Sequence, residues 1–330
     1  MRLRQSRATV LGSGAADPPE TRAVNPAPIV RSVHHGSAWA LLKRRIAPYG
    51  FISPTALLIL VLTLIPIAMV VSYSIMDNVI VNKNPAFVGF ANYAAVLTDH
   101  VFYVAFGNTL FFTVVSVAAH LLLGLGFAML LNTKLLSTTT KALFRVVYIL
   151  PWLFTVAIIA VLWRLLLNPT GIVNYILTTT GLTDTGVQWL SSPSTALFAV
   201  TFINIWSGYP FYMISLLAGL QGIPRDLNEA AMMDGANGIK RFWNITLPQL
   251  KPIVVAMAML DVIWTSQQFA LIWMTTGGGP LNVTEMLSTY TYKLAFSRYE
   301  FSTASAAAVV IFLLSMVLAF FYVKHQKSRD

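Results

Sequence analysis

Residues 101–131 read VFYVAFGNTLFFTVVSVAAHLLLGLGFAMLL and contain no Asp, Glu, Lys or Arg. A helix rises 1.5 Å per residue, so about 20 apolar residues cross the hydrocarbon core of a bilayer. This run exceeds that length without a break. Its apolar residues are continuous rather than alternating, which argues against a strand of a membrane barrel. Lipid offers no partner to backbone N–H and C=O groups, so the run is expected to be a helix that satisfies them internally.

Working outward, five more stretches pass the same test: 51–75, 146–167, 196–220, 252–274 and 302–323. The expected fold is all-α, with about six transmembrane helices. Composition agrees, with 56% hydrophobic and 10% charged residues. A soluble domain carries roughly 25% charged residues, so this chain lacks the charge to cover a water-facing surface. Lys43-Arg44-Arg45 precedes the first run as the basic start of a signal peptide would. The apolar stretch that follows is too long for one and reads as an uncleaved anchor. Residues 1–45 read as a basic, mostly disordered cytoplasmic tail, and 46–330 as the membrane domain.

Lysine and arginine set the orientation. With the N-terminus inside, the tail holds Arg2, Arg4, Arg7, Arg22, Arg31, Lys43, Arg44 and Arg45. The next inside loop holds Lys134, Lys141 and Arg145; the third inside segment holds Arg225, Lys240, Arg241 and Lys251; the C-terminus holds Lys324, Lys327 and Arg329. The outside loops keep only Lys83, Lys293 and Arg298, with Arg164 near an outer helix end. The net charge of +10 is therefore a topology signal that needs no nucleic-acid partner, and both termini are expected in the cytoplasm.

Much chemistry is excluded. There is no cysteine, hence no disulfide, thiol catalysis or thiolate-bound metal. No Gly-x-x-x-x-Gly-Lys-Ser/Thr loop is present. Gly277-Gly278-Gly279-Pro280 lacks the lysine and reads as a tight turn. His34, His35, His100, His120 and His325 show no metal-ligand spacing. His120, inside the second span, is expected to hydrogen-bond a neighbouring helix. No catalytic or metal site is expected.

Polar residues within spans are costly and default to functional candidates. Asp261, Trp264, Thr265 and Gln268 follow at i, i+3, i+4 and i+7 in the fifth span, and Asn204, Ser207, Gly208 and Phe211 do so in the fourth. Such lightly polar, aromatic faces suit a sugar, whose hydroxyls need hydrogen-bond partners and whose ring faces stack on aromatic rings. They suit ordinary helix packing equally well. A carboxyl group at Asp261 must be protonated, paired with a cation or strongly hydrogen-bonded. No Lys or Arg of this chain lies at its depth. An unpaired Asp261 would favour a neutral or amino-bearing sugar over an anionic one, unless it ties its helix to a second subunit.

The third inside loop, 221–248, opens with Pro224 and Asp226, which suit a helix start. Leu227, Ala230, Ala231 and Asp234 keep helical spacing, and Gly235 or Gly238 can end the helix. A second short helix is expected from Asn237 and carries Lys240 and Arg241. Small side chains on a short helix allow close approach to a groove on another protein.

The spacing Glu229-Ala230-Ala231, Gly235, Ile245, Leu247-Pro248 resembles the signature loop of binding-protein-dependent ABC importer permeases. Phe87-Val88-Gly89-Phe90-Ala91-Asn92-Tyr93, Asn108-Thr109-Leu110, Leu123-Gly124-Leu125, Leu150-Pro151-Trp152, Thr276-Gly277-Gly278-Gly279-Pro280 and Tyr290–Phe296 are similar to the carbohydrate-uptake branch, in the compact six-helix form of its maltose-permease-like members. The resemblance implies a permease subunit in a bacterial or archaeal inner membrane, paired with a homologous second permease and two copies of a cytoplasmic ATPase. It implies a separate sugar-binding protein outside the membrane, alternating access driven by ATP, and no enzyme activity or cofactor of its own, since ATP and Mg belong to the ATPase. It places Glu229, Ala230, Ala231, Gly235, Ile245, Leu247 and Pro248 at the ATPase. It points Trp152, Asn204, Gly208, Phe211, Asp261, Thr265 and Gln268 toward the sugar. The rival readings are an ion-coupled secondary transporter, which would not need the docking loop, and an importer of a sugar relative such as glycerol phosphate.

Overall fold

A computed structural model describes residues 38–133 and 135–327. The tail expected over 1–45 falls, for residues 1–37, outside the described residues, as does Lys134. Packing divides the chain into two units, Met1–Ile59 and Leu60–Asp330. The described part of the first unit belongs to helix α1, Ala38–Ser74. The second unit contains the site.

The described residues include thirteen α-helices and two π-helical turns, with no strand among them. After α1 come α2 (Ala91–Thr98), α3 (His100–Asn132), α4 (Thr138–Leu153), α5 (Val156–Leu166) and α6 (Ile172–Thr179). They are followed by α7 (Ala196–Gly222), α8 (Arg225–Met233), α9 (Gly238–Arg241) and α10 (Leu247–Ser266). The last three are α11 (Ala270–Thr275), α12 (Leu287–Tyr292) and α13 (Phe301–Lys327). Among the described residues, four helical stretches are long and apolar enough to cross a membrane, and a fifth is added if a bent pair counts as one span. The sixth expected stretch, 302–323, lies within α13.

Two expected spans differ in detail. The stretch 146–167 is two helices, α4 and α5, bent by 99° at the break. Pro151 lies two residues before the end of α4 and cannot donate to the carbonyl four residues back. The fifth span is displaced toward the N-terminus. Its helix ends at Ser266, and Pro252 lies inside α10 rather than at its start. Gln267 caps α10 with its N–H on the Trp264 and Thr265 carbonyls.

Capping fixes several ends. Asp99 accepts from the Val101 N–H at 2.8 Å and starts α3. Ser137 accepts from the Thr140 N–H at 3.1 Å and starts α4. Asn92 donates to the Ser74 and Met76 carbonyls, both at 2.9 Å, and so ties α2 to the end of α1. The Ser74 and Tyr93 hydroxyls are 2.7 Å apart in the same knot. Gly277 and Gly278 have φ of 62° and 88°, which fits the turn expected there.

The core is built on α3 and α7. Phe111 meets Phe198 ring to ring at 5.6 Å, His120 faces Asn204 and Gly208, and Gly124 faces Tyr212 and Met213. Residue numbers rise together along both helices, so the pair is parallel and close to in register. Gly124 allows this approach, because a Cβ there would lie 2.3 Å from the Tyr212 Cβ. Apolar clusters flank the pair. One joins Phe112, Ile159, Ile203 and Ile272; another joins Leu131, Tyr212, Leu216 and Leu250; a third joins Phe102, Tyr290, Leu294 and Ala307. Leu60, Leu62, Leu64 and Ile65 of α1 remain exposed, as do Phe312 and Leu313 of α13. Such apolar exposure marks a surface that lipid or a further protein subunit covers.

Candidate functional site

The polar residues of α7 and α10 meet those of α3 around one imidazole. His120 is 3% exposed and Asp261 7%. His120 Nδ1 lies 2.7 Å from Asp261 Oδ2, and Nε2 lies 3.1 Å from the Asn204 carbonyl oxygen. Thr265 Oγ1 donates to Asp261 Oδ1 at 2.7 Å, across one helical turn of α10. The Ser207 hydroxyl donates to the same Asn204 carbonyl at 3.0 Å. Gly208 provides the space for the ring, since a Cβ there would lie 2.3 Å from Nε2. The helix–helix hydrogen bond expected of His120 is thus present, and Asp261 is both paired and hydrogen-bonded.

The pairing also answers the question left open by the sequence. The cation-capable partner of Asp261 lies in this chain, 141 residues earlier, and is a histidine rather than a Lys or Arg. Asp261 is therefore not unpaired, and a preference for neutral sugars does not follow from its charge. Two ionisable residues in separate apolar spans, each in need of a partner, were the only signal for this contact in the sequence.

The expected face of α10 divides. Asp261 and Thr265 turn inward to α3 and are buried. Trp264, between them in sequence, is 61% exposed. It joins an aromatic row in which its ring is 5.8 Å from Phe211, and Phe211 is 6.3 Å from Trp152. Trp152 is 52% exposed and stands at the end of α4, next to the bend into α5. The structure thus brings Trp152, Phe211 and Trp264 together on an open surface, with the His120–Asp261–Thr265 group packed behind it. The Asn204 side-chain nitrogen is buried without a hydrogen-bond partner. Gln268 lies beyond the end of α10; its main-chain carbonyl accepts from the Ser288 hydroxyl at 2.8 Å, and its side chain is half-buried. It belongs to the connection toward α11 rather than to the helical face expected of it.

The second cluster lies around α8. Asp226 is in its first turn, and none of its residues is buried. A nine-residue helix is marginal by itself, so α8 presents a surface without internal support. Glu229 and Ala230 are exposed and Ala231 half-buried. Gly235 ends the helix with φ 78°, while the Ala236 N–H reaches the Ala231 carbonyl at 2.8 Å. The reason for glycine here is conformational: a Cβ at 235 would have nothing within 4 Å. Asn237 accepts from the Lys240 N–H at 2.9 Å and starts α9, which carries Lys240 and Arg241 as expected. A π-helical turn, Phe242–Thr246, contains Ile245 and leads into α10 at Leu247 and Pro248. Behind α8 is a cavity of about 770 Å³ whose lining includes Lys141, Arg225, Glu229 and Arg241.

A model of the family described as binding-protein-dependent transport system inner membrane component matches residues 120–329. The chain is 35% identical over 294 residues to a trehalose/maltose transport system permease protein, MalF, of Thermococcus litoralis; the match covers 87% of this chain and 97% of that one. It is 34% identical over 294 residues to a sulfoquinovosyl glycerol transport system permease protein, SmoG, of Agrobacterium fabrum, covering 88% and 94%. A solved bacterial ABC transporter for import of the acidic polysaccharide alginate contains a chain of the same fold, with TM-score 0.76 and 23% identity over 88% of this chain and 98% of that one.

Proposed function

Because this chain belongs to the family of binding-protein-dependent transport system inner membrane components, we propose that it is one of two permease subunits of an ATP-driven sugar importer. Relatives named for trehalose or maltose and for sulfoquinovosyl glycerol support a saccharide as cargo. The observation that carries the reading is the open aromatic row Trp152–Phe211–Trp264, set beside the polar groups of α7 and α10. Aromatic rings stack on the apolar faces of a pyranose, and neighbouring amides and hydroxyls serve its edges. Trp152 and Phe211 contact the sugar directly in this proposal, with Gln268 at one end. Asn204, Gly208, Asp261 and Thr265 shape the wall behind.

Residues 221–248 form the ATPase docking loop in this reading, with Glu229, Ala230 and Ala231 on α8 in the partner's groove and Gly235 setting the turn. Ile245, Leu247 and Pro248 transmit the motion into α10, the helix that carries Asp261 and Trp264. The N- and C-termini and this loop lie in the cytoplasm. A homologous second permease completes the pore, two ATPase copies bind and hydrolyse ATP with Mg, and an extracytoplasmic binding protein delivers the sugar. Closure of the ATPase dimer then switches the pore between inward-open and outward-open.

The test uses the assembled importer with its binding protein in proteoliposomes and radiolabelled trehalose and maltose. Trp152→Ala and Gln268→Ala are expected to reduce ATP-driven uptake at normal assembly while capture by the isolated binding protein is unchanged. Normal uptake in both variants removes these residues from the pathway.

A further inference from the structure

We infer that His120 is a positioning residue that cancels the charge of Asp261 and pins α3, α7 and α10 together at the transport site; only the word transport depends on the proposed function. Hydrogen-bond chemistry carries the argument. The Asn204 carbonyl oxygen can only accept. With His120 Nε2 at 3.1 Å from it, the Nε2 proton is required, or two lone pairs would oppose each other in a buried site. A second proton must then lie between Nδ1 and Asp261 Oδ2, 2.7 Å apart. Whichever atom holds that proton, imidazolium with carboxylate or imidazole with carboxylic acid, the pair is neutral overall.

Among the described residues, the ion pair of Asp261 is the one with His120. Neither α3 nor α7 contains an Asp, Glu, Lys or Arg, and Lys251, the other charged residue of α10, is ten positions from Asp261. The neighbouring titratable group is the phenol of Tyr212 on α7, which interacts with the Asp261 carboxylate and whose ring is 5.9 Å from the imidazole; a phenol brings no positive charge to offset the carboxylate. Thr265 occupies the second carboxylate oxygen from α10 itself. Gly208 completes the fit by leaving the ring in contact with the α7 backbone. One side chain of α3 thus joins α7 through a main-chain carbonyl and α10 through a carboxylate. The aromatic row lies against a wall with no net charge, compatible with neutral and anionic solutes alike.

Removing one member of a buried pair strands the other, whereas replacing both removes the liability. The experiment uses the assembled importer with His120→Gln, Asp261→Asn and the double variant, and measures the rate at which assembled complex is lost at elevated temperature. Each single variant is expected to be lost about tenfold faster or more, and the double variant within about threefold of the unmodified complex. If a single variant does not assemble, recovery of assembly in the double variant reads the same coupling. Effects that simply multiply in the double variant, a double variant that also fails to assemble, or single variants that match the unmodified complex would overturn the inference, because a packing role for His120 is not rescued by changing Asp261. Trehalose uptake by the unmodified importer tests the sugar reading separately, and its absence leaves this cycle as readable as before.

Discussion

Gly124→Ala adds one methyl group at a close approach between α3 and α7. The new Cβ would lie 2.3 Å from the Tyr212 Cβ, 3.0 Å from the Met213 nitrogen and 3.1 Å from the Tyr212 carbonyl carbon. Two of those three atoms are backbone, so no rotamer change relieves the contact. Carbon atoms rest about 3.5–4.0 Å apart, so the two helices must separate locally by about 1.5 Å. Tyr212 and Met213 are fully buried. A gap of even 0.5–1 Å forfeits about a quarter to a half of each contact's attraction. The cost falls at the upper end of the overpacking range, about 3 kcal/mol, or about a hundredfold in the ratio of folded to unfolded protein. The assay is the fraction of permease that stays monodisperse in detergent after heating, across a temperature series. Gly107 and Gly126 on the same helix supply the control, since a Cβ at either meets nothing within 4 Å. Alanine there should be neutral or stabilise by up to about 1 kcal/mol through its helix propensity. If Gly124→Ala matches Gly126→Ala in heat stability, the parallel α3–α7 packing is wrong.

Gly235→Asn should preserve co-purification with the ATPase better than Gly235→Val, because φ of 78° is tolerated by Asn and costs a β-branched residue about 1–2 kcal/mol or more. Equal behaviour of the two would show that turn conformation is not the constraint. Asn174, buried, donates to the Asn168 and Val187 carbonyls and accepts from the Val187 N–H and the Trp189 indole N–H. Asn174→Ala leaves the Val187 N–H and carbonyl and the Trp189 indole N–H without this partner, while the Asn168 carbonyl keeps the Gly171 N–H at 2.7 Å, and should cost about 2–4 kcal/mol, read as faster proteolysis between α6 and α7. Lys293→Met strands the buried Glu285 carboxylate and should lower the thermal midpoint sharply, with much of the loss restored by Glu285→Gln. Failure of that rescue would mean that the ion pair is not what Lys293 contributes.

Local signals in the sequence were enough for the long helices and for the short-helix loop over 221–248. Long charge-free runs such as 101–131 have one solution in lipid, because helices alone satisfy every backbone group within a single segment. Residues 225–241 carry their own start and stop signals in Asp226, Gly235 and Asn237, and these act over four or five residues. The break between α4 and α5 was less legible: Pro151 weakens the helix, but the 99° bend depends on what packs around it. The division of the α10 face was not legible at all. Residues Asp261, Trp264 and Thr265 share a helical stripe about 100° wide, and only the positions of α3 and α7 decide which of them turns inward. The partner of Asp261 was hidden for the same reason. Periodicity places His120 within its span but carries no information on the register between helices, and the parallel fit of α3 against α7, permitted by Gly124 and Gly208, is what brings the imidazole to the carboxylate.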